Sequence, residues 1–206
     1  MNNETGKMYI HNYFPTKVAE TYLKNFKNIN KDILPKIYNL KNIQTDNVKR
    51  SNEGGWRSTD DLNYKPEFRN LHDTILECVN ALGNNLSYDT NKYYLKIYDM
   101  WSVINNKHDY NSSHSHANAL WSGVYYVKAD KDSGNLNLHD PRLQAQTTHH
   151  YTKGKELHSM NYTRREFAPV TGRCLIFPGW LIHDVSPSKS DNDRVIVSFN
   201  IGQFLK

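Results

Sequence analysis

Cysteine is nearly missing from this chain. Two residues, Cys78 and Cys174, among 206 cannot build a disulfide framework, and neither belongs to a Cys-x-x-Cys pair of the kind that holds zinc. Any metal must therefore be taken by histidine and carboxylate side chains. Long apolar runs are also lacking: none approaches the roughly 20 residues that span a bilayer, so no membrane partner is expected. The opening stretch MNNETGKMYIHNYF does not show the charged, apolar and small-residue succession of a secretion signal, which gives a cytoplasmic expectation. Segregated charge is missing as well. The formal charge is +5 and the pI near 9.0, yet Lys and Arg are mixed with Asp and Glu, so nucleic acid is not the expected partner. No internal repeat, low-complexity tract, splitting linker or heptad is visible, so residues 1–206 read as one domain of unknown oligomeric state.

What is present is a polar chain, of mean hydropathy −0.80, with 12% aromatic residues to pack a core. Residues 30–43 place Ile33, Ile37 and Leu40 at helical spacing behind Asp32 as N-cap, with Pro35 in the first turn. Residues 66–86 carry Phe68, Leu71, Ile75, Val79 and Leu82 at intervals of three and four, with Pro66 at the start and Gly83 as a stop. Beyond them the period falls from 3.6 to 2. Strands are expected at residues 93–104, 119–128, 134–139, 173–177 and 194–204, divided by Gly, Pro, Asn and Asp clusters. Residues 1–92 thus read as mostly helical support and 93–206 as a β core, an α+β, mainly β class with a sandwich or barrel. Residues 143–169 are long, polar and poorly periodic, in the manner of a lid.

The chemistry concentrates in Asn111-Ser-Ser-His114-Ser-His116. Side chains two apart on an extended chain project from one face, so His114 and His116 can reach one ion. A third ligand must come from a distant strand, and His183 stands in the apolar run from Phe177 to Val185, where a stray imidazole would be costly. A single such histidine is more often a satisfied core residue. It is the ordered set of His-x-His, late His183 and following Arg194 that points to metal. Arg194 opens a strand that aims Arg194, Ile196, Ser198 and Asn200 to one face. Its guanidinium suits a carboxylate such as the free one of an iron-chelating 2-oxoglutarate. The competing reading pairs Arg194 with Asp191 or Asp193 at the surface.

These motifs resemble those of the 2-oxoglutarate-dependent iron(II) oxygenases of tailed phages and marine bacteria. The resemblance rests on Gly54-Gly-Trp-Arg-Ser58, Trp101, His114-Ser-His116, Ser122-Gly-Val-Tyr-Tyr126, Ser133-Gly-Asn-Leu136, Asp140-Pro-Arg142, Phe177-Pro178, His183, Arg194 and Ser198-Phe-Asn200, from about residue 51 onward. It implies a double-stranded β-helix, a jelly-roll or cupin-like core. It also implies a dioxygenase of the hydroxylase kind that takes Fe(II) at His114, His116 and His183, 2-oxoglutarate at Arg194, O2, and a substrate the sequence does not name. A phage gene would place the protein in host cytoplasm. Strand parity adds Tyr126 and Ser198 as hydrogen-bonding partners of the keto acid.

Two positions depart from the wider superfamily: the second ligand is His116 where a carboxylate is usual, and Ile196 stands where a hydroxyl residue often follows the Arg. Asp140 is the alternative source of the missing carboxylate. His108, His139, His149, His150 and His158 are taken as non-ligands, with His149-His150 the main decoy. Rival readings are a three-histidine cupin enzyme, which lacks a use for Arg194, and a non-catalytic metal-stabilised binding module. Trp56, Trp121 and Trp180 either line a substrate pocket or simply pack.

Overall fold

The computed structural model describes residues 8–9, 11, 13–44, 46–147 and 163–206. Helix α1 spans Phe26–Ile43, starting four residues before the stretch 30–43 and well ahead of the cap expected at Asp32. Asn25 in the left-handed region (φ 60°) begins it, because extending the helix buries Ile29 and Asn30 with Ile33 and Ile37. Asp32 then lies within the helix and pairs with Lys36 instead of capping. Pro35 is likewise internal, at the loss of one helical hydrogen bond. Asn30 anchors this helix: its amide donates to the Val127 carbonyl (2.7 Å) and its carbonyl accepts from the Tyr125 hydroxyl.

A single 3-10 turn, Pro66–Phe68, precedes helix α2, Arg69–Asn85. Its buried stripe of Leu71, Ile75 and Val79 is the one the periodicity marks. Gly83 is inside the last turns rather than beyond them, and it is buried. A Cβ there would meet Leu95 Cδ1 at 2.8 Å, so packing against a strand, not helix termination, accounts for the glycine.

Among the described residues eleven strands form two antiparallel sheets. The larger contains β1 (Ala19–Tyr22), β9 (Arg173–Pro178), β6 (Trp121–Lys128), β11 (Arg194–Leu205), β4 (Tyr93–Asn105) and β3 (Trp56–Arg57), in that order. The smaller runs β2 (Asn52–Glu53), β5 (Tyr110–His114), β10 (His183–Val185), β7 (Leu136–His139), β8 (Arg164–Phe167). This is the expected double-stranded β-helix. The division expected at residue 92 is crossed by the sheets, since β1, β2 and β3 pair with β9, β5 and β4.

One apolar cluster fills the space between the helices and the larger sheet, from Ile33 and Ile75 to Tyr125, Val197 and Phe199. A second lies between the sheets, where Trp101, Val103, Val124, Tyr126 and Ile196 meet Leu136, Leu138 and Leu181. Alternate residues of β4, β6 and β11 thus serve opposite cores, which is why these strands read as nearly continuous apolar runs. Among the described residues no helix is long and apolar enough to cross a membrane. Of the stretch expected to act as a lid, residues 148–162 lie outside the described residues. Its ends are a 3-10 turn, Leu143–Thr147, and the edge strand β8.

Candidate functional site

The space between the two sheets opens into a cavity of about 370 Å³. Its walls include alternate residues from the first part of β11, namely Arg194, Ile196, Ser198 and Asn200, and the matching Asp99, Trp101 and Val103 of β4. His114 ends β5, His116 follows in the turn, and His183 opens β10. In the sheet His183 stands directly across from His114. The three side chains offer ligand atoms that all lie within 4.8 Å of one another. Their ring centroids are 4.3 Å (His114 to His183), 5.1 Å (His116 to His183) and 5.2 Å (His114 to His116) apart.

Backbone carbonyls fix two of these rings. His114 Nδ1 donates to the Ser112 carbonyl (2.7 Å) and His183 Nδ1 to the Leu181 carbonyl (2.9 Å), each two residues upstream. That leaves both Nε2 atoms as lone-pair donors. The Ser51 hydroxyl donates to His114 Nε2 at 3.2 Å. The His116 ring has no hydrogen bond among the described residues. It stacks on the Trp101 indole at 5.7 Å and 26°, while the Arg57 guanidinium covers that indole at 4.7 Å. All three imidazoles are held neutral. Burial is the main cause, lowering His183 to about 3 and His116 to about 4, and the neighbouring rings add to it. His114 is lowered as well by burial, against the pull of the Ser112 carbonyl. Neutral imidazoles clustered in a cavity are the state a divalent cation requires.

Arg194 is 1% exposed and has no ion-pair partner among the described residues. Asp191 binds Lys107 at 2.7 Å, and Asp193 binds Lys128 and Tyr38, so the surface pairing of Arg194 is ruled out. Nη1 donates to the Ser133 and Gly134 carbonyls (2.7 and 2.9 Å), whereas Nε and Nη2 are buried without partners. Burial lowers its pKa, countered by Tyr126 and Asp109. Tyr126, whose phenol is raised by burial, is 2% exposed and lines the same cavity, as does Ser198.

Asp140 does not join the cluster. Its carboxylate is taken by Arg142 Nε and Nη2 at 3.0 and 2.8 Å. His139 is turned to Asp184 (2.6 Å), and His108 sits in a left-handed turn (φ 72°). His149, His150 and His158 lie outside the described residues. The tryptophans singled out for the pocket do not line it. Trp56 donates to the Gln44 carbonyl, Trp121 donates to the Tyr88 hydroxyl, and Trp180 is 56% exposed. Trp101 lines the cavity in their place, with Ser51, Arg57, Asp60 and Asn111, none of which periodicity could single out. The signal available for Arg57, Trp101 and Asn111 was their place in the separate motifs quoted from the sequence.

Residues 99–200 match a family model described as "Putative 2OG-Fe(II) oxygenase". That span holds all three histidines, Tyr126, Arg194 and Ser198. No curated protein matches the sequence. Similar solved structures include a prolyl-4-hydroxylase of Pseudomonas putida, with TM-score 0.62, 11% identity, and coverage of 90% of this chain and 92% of that one. HygX of Streptomyces hygroscopicus, with nickel and 2-oxoglutarate bound, gives 0.61, 13%, 91% and 83%. The viral collagen prolyl hydroxylase of Paramecium Bursaria Chlorella virus-1, in complex with 2OG, gives 0.55, 14%, 89% and 94%.

Proposed function

The chain belongs to the iron(II)- and 2-oxoglutarate-dependent oxygenases, and from that premise we propose that His114, His116 and His183 hold its iron while Arg194 binds the far carboxylate of 2-oxoglutarate. Arg194 carries the reading. A fully buried guanidinium with two unpartnered N–H edges is costly unless an anion completes it. It lines the same cavity as the three imidazoles, and a dicarboxylate that chelates an ion at one end and extends to Arg194 at the other satisfies both. The donor set fits the metal, since neutral imidazole nitrogens ligate iron(II) readily. A rival three-histidine cupin has no use for the guanidinium.

When bound, iron(II) and the keto acid supply the oxidative chemistry, in which O2 and 2-oxoglutarate become succinate and CO2 as a substrate C–H bond is oxidised. The protein contributes the rest. The Ser112 and Leu181 carbonyls keep Nδ1 protonated on His114 and His183, so Nε2 of each carries the lone pair that would hold the ion. Tyr126 and Ser198, which line the same cavity, would hydrogen-bond the keto acid beside Arg194. Apolar Val103, Leu136, Val185 and Ile196 exclude water around it. The opposite end, at Trp101, Asp99, Asn200 and Arg57, is left for the substrate, which we take to be hydroxylated.

Anaerobic titration of the protein with iron(II) and 2-oxoglutarate should produce a weak visible charge-transfer band. The substitution His183→Ala should abolish it. Survival of the band in that variant would overturn the ligand assignment, and wild-type protein that never forms succinate would leave only a binding module.

A further inference from the structure

The geometry points to Trp101 as the positioning residue of the second metal ligand, holding the His116 ring by its face where His114 and His183 are each held by a hydrogen bond. This rests on the ligand assignment proposed above. Three observations carry it.

First, the ligands differ in support. His114 and His183 each donate Nδ1 to a carbonyl two residues earlier, whereas the His116 ring has no hydrogen-bond partner among the described residues. Its main chain is tied, N–H to the Gly179 carbonyl at 2.8 Å, but that bond leaves the side-chain torsions free. Second, the ring lies against two flat groups. Trp101 is 5.7 Å away at 26°, and His183 is 5.1 Å away and nearly parallel, at 6°. Third, the indole itself is fixed. It is 7% exposed, and the Arg57 guanidinium lies over the ring at 4.7 Å. Arg57 is anchored in turn by the Ser58 carbonyl (3.0 Å) and the Asp60 carboxylate. A cation over an indole is attracted by the ring's negative face, so this stack has an electrostatic component as well as contact area.

The arrangement suits a histidine in a position where superfamily members usually have a carboxylate. A carboxylate needs hydrogen-bond donors to orient it, and the wall beside His116 offers an aromatic face. Outer partners of metal ligands commonly control about 10- to 100-fold of affinity.

Cobalt(II), whose visible absorption reports coordination, serves as the probe, added to purified wild-type protein and to His116→Ala, Trp101→Leu and Trp101→Phe. Trp101→Leu should lose about 10- to 100-fold in cobalt affinity and acquire the altered spectrum of His116→Ala. Trp101→Phe, which keeps a flat face, should stay close to wild type. Wild-type affinity and spectrum in Trp101→Leu would overturn the inference, as would an equal loss in Trp101→Phe, because volume rather than the ring face would then be at work. His116→Ala behaving as wild type would instead overturn the ligand assignment on which the inference rests. A measurement on the unaltered metal-free protein decides the matter if the variants do not fold. Among the three clustered histidines, proton–nitrogen spectra should show slowly exchanging ring N–H groups on His114 and His183 and none on His116, with His116 ring protons shifted upfield by the indole. A slowly exchanging N–H on the His116 ring would contradict the assignment.

Discussion

Arg194 keeps a charge in a place where, among the described residues, no carboxylate answers it, and on the reading proposed above its two unpartnered N–H edges would select an acid with a second anionic end. Arg194→Ala should raise the 2-oxoglutarate KM by about 10- to 100-fold, the range expected for charge-assisted hydrogen bonds worth about 1.5–3 kcal/mol. Keto acids that lack the far carboxylate should be little affected, a comparison made by succinate-type product assays or by calorimetry. Arg194→Lys should recover only part of the loss, since an ammonium cannot make the two parallel bonds. The histidines give a pH prediction. Their folded pKa values lie below the usual 6.5, at about 3 for His183 and about 4 for His116, and lowered for His114. Above pH 6.5 both folded and unfolded chains hold them neutral and they contribute no pH dependence. As pH falls below 6.5 the unfolded chain takes up protons that the folded chain refuses, so stability declines toward pH 4, by at most about 1.4 kcal/mol per pH unit for each histidine. Urea unfolding of metal-free protein between pH 7 and 4.5 should show this slope, and His183→Ala should flatten it.

At the scale of elements, the turn before β7 exists to hold Arg194. Gly134 adopts φ 97°, and a Cβ there would lie 2.3 Å from the Ser186 carbonyl oxygen and 2.8 Å from Arg194 Nη1. Gly134→Ala should therefore lower the thermal midpoint and weaken 2-oxoglutarate binding together, whereas a surface glycine replacement would do neither. Calorimetry and a binding titration on one preparation would check this. The Ser-Gly-x-Leu motif was visible in the sequence, but its use as a cradle was not, because the partner is Arg194, some sixty residues away. The same contrast runs through the fold. Strands β4, β6 and β11 were legible because both faces meet apolar cores, and α2 because its stripe is regular. By contrast β2, β3, β8 and β10 are two to four residues long, too short to establish a period. The start of α1 was misplaced because Asp32 and Pro35 imitate a helix start, while Asn25 begins the helix through a left-handed backbone. Among site residues, the alternation of β11 brought out Arg194 and Ser198 directly. Ser51, Arg57 and Asp60 reach the cavity from loops and a two-residue strand, and no periodicity reports that.

Across the whole molecule the two sheets are unequal. The larger is framed by β4 and β11, which pair along nearly their full lengths of 13 and 12 residues, and both helices pack on its outer side. The smaller is assembled from strands of two to five residues. His114 and His183 face each other across it, on β5 and β10. An ion held by both would act as a clasp between neighbouring ribbons that few backbone hydrogen bonds join. Amide exchange should then slow on cobalt loading in residues 110–114 and 183–185, and change little in 93–105 and 194–205. At a metal concentration about 100 times Kd, unfolding should become harder by about 2.7 kcal/mol. The same pairing would make the supply of metal a determinant of how long the protein survives. Chains made where iron is scarce would keep their large sheet and carry a frayed small one, open to proteolytic nicking along the β5–β10 seam that the missing ion would have fastened.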